Sequence, residues 1–135
     1  MKTKELLEKK GLRPTIQRIK VYEYLLKHRE HPDVEKIYKV LKEEIPTISK
    51  TTIYNTLKEL ADRGLIIEIP TEYKLCFDGY TEPHSHFICE ECNKIYDIDA
   101  DFEFDKKQKI NGHIIKNFCV MFKGICFNCQ RKEKS

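Results

Sequence analysis

Two Cys-x-x-Cys pairs, Cys89-Glu90-Glu91-Cys92 and Cys126-Phe127-Asn128-Cys129, constrain this 135-residue chain more than any other feature. If their four thiolates close one tetrahedral shell, two segments far apart in sequence must meet at a point, and no coordination position stays open. Such a site is structural, and zinc suits it. A C-terminal portion of about 55 residues buries too little apolar surface to stabilise itself easily, so a metal cross-link is physically useful there. Cys76 and Cys119 have no partner at motif spacing and are expected to be small buried hydrophobes.

The segment before the first pair, Pro83-His84-Ser85-His86, suggests a second metal site. His84 and His86 alternate, so on a strand their side chains leave from one face. Asp78 and Asp97 lie nearby in sequence as hard oxygen donors, and His31 sits in a break between two helices of the N-terminal part. His28 and His113 are expected at the surface. A mixed shell of imidazoles and carboxylates suits Fe(II) or Mn(II) better than Cu(I), with zinc also possible.

The N-terminus, MKTKELLEKKG, is charged and lacks the apolar core of a secretory signal, and no apolar run approaches the ~20 residues of a membrane span. The expected location is the cytoplasm, where cysteines stay reduced and paired spacing means metal rather than disulfide. Net charge is +3, carried by residues 1–80, while residues 81–135 balance. A charge this small does not by itself indicate nucleic acid.

Helical and strand signals divide the chain at about residue 79. Residues 3–10 form a short charged helix ended by Gly11. Thr15 caps a second helix to about His28, with Ile16, Ile19, Tyr22 or Glu23, and Leu26 keeping a helical period, joined by Val21 and Leu25. After His31-Pro32, Asp33 caps a third helix with Val34, Ile37, Tyr38 and Leu41 on one stripe. Ser49 caps a fourth through Arg63, stopped by Gly64, with Ile53, Leu57, Leu60 and Ala61 inward. Leu65–Ile69 and Tyr73–Phe77 flank Pro70-Thr71-Glu72 as a hairpin. Three helices followed by a hairpin make a winged helix, in which the helix from Lys50 to Arg63 enters the major groove. Its outer face offers Thr51, Asn55, Lys58 and Asp62, with Lys50 and Tyr54 at the edge. The expected base contacts are Tyr54 and Asn55, with Lys50 and Lys58 on phosphates. Beyond a linker at 78–83, strands are expected at 85–89 and 94–98, a helix at 101–111 and a β-rich run at 114–122. The tail RKEKS is expected to be disordered. The fold class is therefore α+β: a winged helix-turn-helix over residues 1–79, and a small α/β part with a four-cysteine zinc site over residues 80–135.

The order GLRPTIQR, HPDVEKIY, ISKTTIYNTLKELADRGLI, FD, HSHFICEEC and CFNC resembles the Fur family of metal-dependent repressors. The resemblance covers nearly the whole chain. It implies a homodimer with an N-terminal DNA-binding winged helix and a C-terminal dimerisation domain. It carries structural Zn(II) onto Cys89, Cys92, Cys126 and Cys129, and a regulatory Fe(II) or Mn(II) onto His31, Asp78, His84, His86 and Asp97. Aspartate at 97 and asparagine at 55 resemble the peroxide-sensing PerR branch, where iron regulators usually have glutamate and often arginine. The family's Thr-Pro-Gln-Arg is here Pro-Thr-Ile-Gln-Arg, a local change. Asn117 stands where many iron regulators carry a histidine of an additional metal site.

The expected function is thus a homodimeric repressor on double-stranded operator DNA, in the cytoplasm with no membrane, sensing peroxide through Fe(II)-catalysed histidine oxidation. The alternative is an iron- or manganese-responsive Fur-type repressor. A non-haem iron enzyme is a reading from another class, since two histidines and a carboxylate resemble a facial triad. The second carboxylate and third histidine argue against it by filling the open positions, so no catalytic residue is expected. A zinc-ribbon interaction module would leave the first 80 residues unexplained.

Overall fold

Capping chemistry fixes the first four helices of the computed structural model, which describes residues 2–72, 74–81, 85–98, 109–115 and 120–133. These are α1 (Thr3–Lys9), α2 (Ile16–Lys27), α3 (Val34–Glu44) and α4 (Lys50–Asp62). The side chains of Thr15, Asp33 and Ser49 accept the backbone N–H of Arg18, Lys36 and Thr52 at 3.2, 2.9 and 3.1 Å. Each satisfies one of the orphan donors of a helix N-terminus. At the other ends, α1 and α4 close alike. Gly11 and Gly64 have φ of 78° and 75°. The N–H groups of Leu12 and Leu65 reach back to the carbonyls of Leu7 and Leu60, both at 2.9 Å. This is the paired closure for which glycine is preferred at the left-handed position.

The hairpin joins β1 (Ile67–Pro70) to β2 (Leu75–Asp78), antiparallel, with Ile67 opposite Asp78 and Pro70 opposite Leu75. Leu65 and Ile66 are buried but precede the strand, since the Leu65 N–H closes α4 rather than pairing across a sheet. The segment before α3 lies along β2: the Phe77 N–H donates to the Pro32 carbonyl at 3.0 Å, and Asp33 bridges Cys76. The core of this unit gathers Leu7, Val21, Leu25, Ile37, Ile53, Leu57, Leu60 and Phe77, all fully buried.

One helix face differs from expectation. On α2 the buried residues are Val21, Tyr22, Tyr24 and Leu25, while Ile16 and Leu26 are 59% and 43% exposed. At 100° per residue, positions 16, 19, 23 and 26 lie opposite the face centred on 21 and 25. The helical period alone leaves two apolar stripes on α2, and tertiary packing turns the one with Val21 and Leu25 inward.

The chain divides into two compact units, Met1–Thr81 and Glu82–Ser135. In the second, a three-stranded sheet has order β4-β3-β7. β3 (Ser85–Cys89) pairs antiparallel with β4 (Ile95–Ile98) and parallel with β7 (Met121–Gly124). A two-residue hairpin joins β5 (Lys109–Ile110) to β6 (His113–Ile114) through Asn111-Gly112, both at positive φ, as a tight hairpin turn requires. The helix expected over 101–111 therefore does not reach its last residues, since Lys109 and Ile110 are strand and Asn111 is in the turn; 101–108 lie outside the described residues. The run 114–122 contributes Ile114 to β6 and Met121 and Phe122 to β7, with 116–119, including Asn117 and Cys119, outside them. The tail begins as helix rather than disorder, because α5 (Phe127–Glu133) carries Arg131 to Glu133.

Candidate metal centres and recognition helix

The second unit brings all four paired cysteines together. Cys89 ends β3, and Cys92 follows in a turn closed by the Asn93 N–H on the Cys89 carbonyl at 2.9 Å and the Cys89 N–H on the Lys94 carbonyl at 3.0 Å. Parallel pairing sets Cys89 opposite Gly124, so the chain leaving β7 delivers Cys126 just before α5 and Cys129 within it. The sulfurs of Cys89 and Cys129 are 3.7 Å apart, those of Cys92 and Cys126 3.8 Å. All four lie within 4.8 Å of one another. A tetrahedron of sulfurs at zinc–thiolate bond length has an edge of about 3.8 Å, whereas a disulfide would be far shorter. The geometry therefore fits a tetrathiolate metal. The N–H groups of Cys92 and Cys126 point at the Cys89 sulfur at 3.5 and 3.4 Å. These donors hold the Cys89 thiol below its ordinary value. The Cys126 thiol is drawn down to about 6, first by the Tyr96 hydroxyl and then by the Cys129 backbone. Cys129 is pushed up, because it donates to Cys126 and is buried. A metal bound there takes the place of the thiol protons.

Among the described residues, each unit also pairs an imidazole and a carboxylate drawn from the expected regulatory ligands. In the first, His31 Nε2 lies 3.4 Å from Asp78 Oδ2, both side chains buried. The pair is assembled by β2: the Pro32 carbonyl accepts from Phe77, next to Asp78, so His31 stands beside the strand's end. His31 adopts φ 60°, uncommon for a non-glycine residue. The other oxygen of Asp78 accepts the Tyr80 N–H at 2.9 Å, which orients the carboxylate. In the second unit, β3–β4 register sets His86 opposite Asp97, and Nε2 and Oδ1 are 3.5 Å apart. Both separations exceed the ordinary range of about 2.7–3.2 Å for a direct N–H···O bond. Two donor atoms at this spacing can share one cation. His84 lies outside the described residues. His28 and His113 are exposed, as expected, and Cys76 is fully buried, its thiol pushed up by that burial.

On α4 the outer residues Thr51, Tyr54 and Asn55 are exposed. Lys50 pairs with Glu35 at 2.7 Å and Lys58 with Glu68 at 2.9 Å. Lys58 also lies over the Tyr54 ring, 5.7 Å from its centroid. The sequence reading missed a neighbour of this face. Arg13, Gln17, Thr52 and Asn55 line one surface hollow of about 430 Å³ beside the start of α2. Glu59 holds Arg18 there at 2.6 Å, and Arg18 in turn donates to the Arg13 carbonyl at 3.0 Å.

The family model described as "Ferric uptake regulator family" matches residues 9–121. The chain is 33% identical to the "Peroxide operon regulator" of Bacillus subtilis (strain 168), over 96% of this chain and 92% of that protein. Among solved structures it is similar to the Campylobacter jejuni peroxide stress regulator, with 31% identity, TM-score 0.67, and coverage of 96% of this chain and 100% of that one. The Helicobacter pylori ferric uptake regulator Fur, at 21% identity and TM-score 0.72 over 94% of this chain and 88% of that one, shares the fold.

Proposed function

Because the chain belongs to the ferric uptake regulator family, we propose that it is a cytoplasmic, homodimeric, metal-dependent repressor that releases operator DNA when peroxide attacks its regulatory site. The observation that carries the reading is that the expected regulatory ligands pair imidazole with carboxylate in both compact units, His31–Asp78 in the first and His86–Asp97 in the second. With His84, the two pairs are halves of one site for Fe(II) or Mn(II), and structural zinc is held by Cys89, Cys92, Cys126 and Cys129. Residues 1–79 bind DNA and residues 80–135 dimerise. In a dimer, the angle between units sets the spacing of the two copies of α4, which must match half-sites a helical turn or a multiple apart. Closing the site on a metal is thereby coupled to DNA affinity through the free-energy difference between two interdomain states. Tyr54 and Asn55 reach base edges, and Thr51, Lys50 and Lys58 the backbone. It is a regulator, not an enzyme.

Bound Fe(II) supplies the one-electron chemistry that splits peroxide. The imidazole of His31 or His84 gains one oxygen at a ring C–H, and the other peroxide oxygen leaves as water. An oxidised imidazole is a poorer donor, so His31–Asp78 and His86–Asp97 would no longer hold a shared cation and the interdomain angle would relax. The test exposes the Fe(II) and Mn(II) forms to equal peroxide, maps peptides heavier by one oxygen, and follows operator binding by gel shift. Oxygen on the His31 or His84 peptide with iron alone, together with DNA release, is the expected result. If both forms stay unmodified and bound, the protein senses iron or manganese level instead. If neither metal promotes binding, the regulator reading fails.

A further inference from the structure

The aromatic group beside the four cysteines has no part in the function described so far. Phe87 and Tyr96 face each other across β3 and β4, their ring centroids 6.2 Å apart and tilted by 56°. Tyr96 makes a second tilted contact at 6.2 Å with Phe127, the residue between Cys126 and the remainder of α5. Phe87 and Tyr96 pack against the buried cluster of Cys89, Cys126 and Cys129, while Cys92 is exposed. Lys94 lies 5.2 Å over the Tyr96 ring, and a cation on the ring face strengthens a phenol as a donor. The Tyr96 hydroxyl is buried and makes no hydrogen bond of regular geometry. The Tyr96 ring packs against the cluster of Cys89, Cys126 and Cys129, and its contact with Phe127 sets it beside Cys126. A buried hydroxyl without a nitrogen or oxygen partner calls for an explanation.

We propose that Tyr96 is a positioning residue of the tetrathiolate centre: its hydroxyl donates to the metal-bound sulfur of Cys126, and its ring, with Phe127, covers that edge of the cluster against metal loss. A metal-bound thiolate keeps enough charge to accept an O–H donor. The donor lowers the energy of the sulfur lone pairs and fixes the sulfur's direction, as outer partners do for metal ligands generally. The two halves separate experimentally, because the hydroxyl acts on the sulfur's electrons and the rings act on access.

This inference rests on the zinc reading of the four cysteines, so the experiment starts with the unaltered full chain loaded with Co(II), and separately with Zn(II). Tetrahedral Co(II) bands with thiolate charge transfer are expected. Their absence overturns the zinc reading and this inference with it. In Tyr96→Phe the tetrahedral bands should remain, while the charge-transfer band moves to longer wavelength and zinc passes to a competing chelator about tenfold faster. In Phe127→Ala the charge-transfer band should stay in place while zinc release quickens. A merely structural Tyr96 would change thermal stability without moving the band. If Tyr96→Phe leaves both band position and release rate unchanged in a metal-loaded protein, Asn128 or nothing serves that hydroxyl and the inference is overturned.

Discussion

Lys50 and Lys58, the cations proposed to meet phosphate, are already engaged with Glu35 and Glu68 at 2.7 and 2.9 Å. An exposed ion pair of this kind is worth roughly 0–1 kcal/mol, so phosphates can displace the carboxylates at modest cost. Glu68→Gln should therefore tighten operator binding by a few-fold at low salt and less at high salt, measured by fluorescence anisotropy. Lys58→Ala should weaken all sequences alike and flatten the salt slope by about one unit. Asn55→Arg should instead change which operator is preferred, because asparagine pairs bidentately with adenine and arginine with guanine. An unchanged preference would mean that the outer face of α4 does not read bases. Burial raises the phenols of Tyr22 and Tyr24. The folded chain then keeps protons that the unfolded chain releases, so stability is full below the ordinary tyrosine value near 10 and falls as pH rises through it. Tyr22→Phe should flatten that alkaline decline in denaturant titrations while changing the neutral midpoint little. At this scale the cysteines were legible because Cys-x-x-Cys is a local spacing with few meanings. His31 was not legible from spacing, only from the family resemblance, because its partner Asp78 is brought near by a backbone bond between Phe77 and Pro32. Arg13 and Gln17 were missed for the same reason: their nearness to Asn55 is a property of packing.

The elements that carry capping residues were legible nearly to the residue, since a cap is a local hydrogen bond written in one side chain. Thr15, Asp33 and Ser49 each begin a helix where their hydroxyl or carboxylate predicts it, and Gly11 and Gly64 end α1 and α4. Direction toward the core was less legible. α2 has apolar residues on two faces, and packing against α1, α3, α4 and β2 chooses Val21 and Leu25 over Ile16 and Leu26. The helical period leading into it masks the strand at Lys109–Ile110, although Asn111-Gly112 is a strong hairpin signal in its own right. Gly79 shows how an element boundary can control a site. A Cβ there would come within 2.9 Å of the Leu25 carbonyl oxygen, a backbone atom that cannot swing away. Gly79→Ala should therefore push the end of β2 away from α2 and carry Asp78 with it. The expected result is about tenfold weaker Mn(II) binding by calorimetry with the helices intact by circular dichroism. Gly64→Ala, where nothing crowds the added carbon but φ is 75°, should cost only about 1 kcal/mol of stability and leave Mn(II) binding unchanged. If Gly79→Ala binds Mn(II) normally, the position of Asp78 does not depend on that close approach.

The two units differ in what holds each together. The first has a continuous core from Leu7 through Phe77, built of leucine, isoleucine, valine and aromatic side chains. In the second, the buried hydrophobics among the described residues are Ile88, Ile95 and three of the paired cysteines, Cys89, Cys126 and Cys129. Its centre is therefore the metal site itself. Four sulfurs this close cannot all be thiolate without a cation, and four neutral thiols replace one strong cross-link with weak contacts. Removing zinc should consequently unfold the second unit and dissociate the dimer while the first unit stays folded. Heating the zinc-loaded protein and the chelator-treated protein in parallel gives the measurement. Helical signal at 222 nm, dominated by α1 to α4, should survive chelation and melt at nearly the same temperature, while backbone amide protection across β3, β4 and β7 should be lost. Cys126→Ser should reproduce this without chelator, since three thiolates and a hydroxyl bind zinc far less well. A Cys126→Ser protein that keeps its zinc, its dimer and its protected sheet would remove the four-cysteine assignment. Loss of the first unit's helices on chelation would show instead that the two units fold as one cooperative body, with the core around Leu25 and Leu57 depending on metal held elsewhere in the chain.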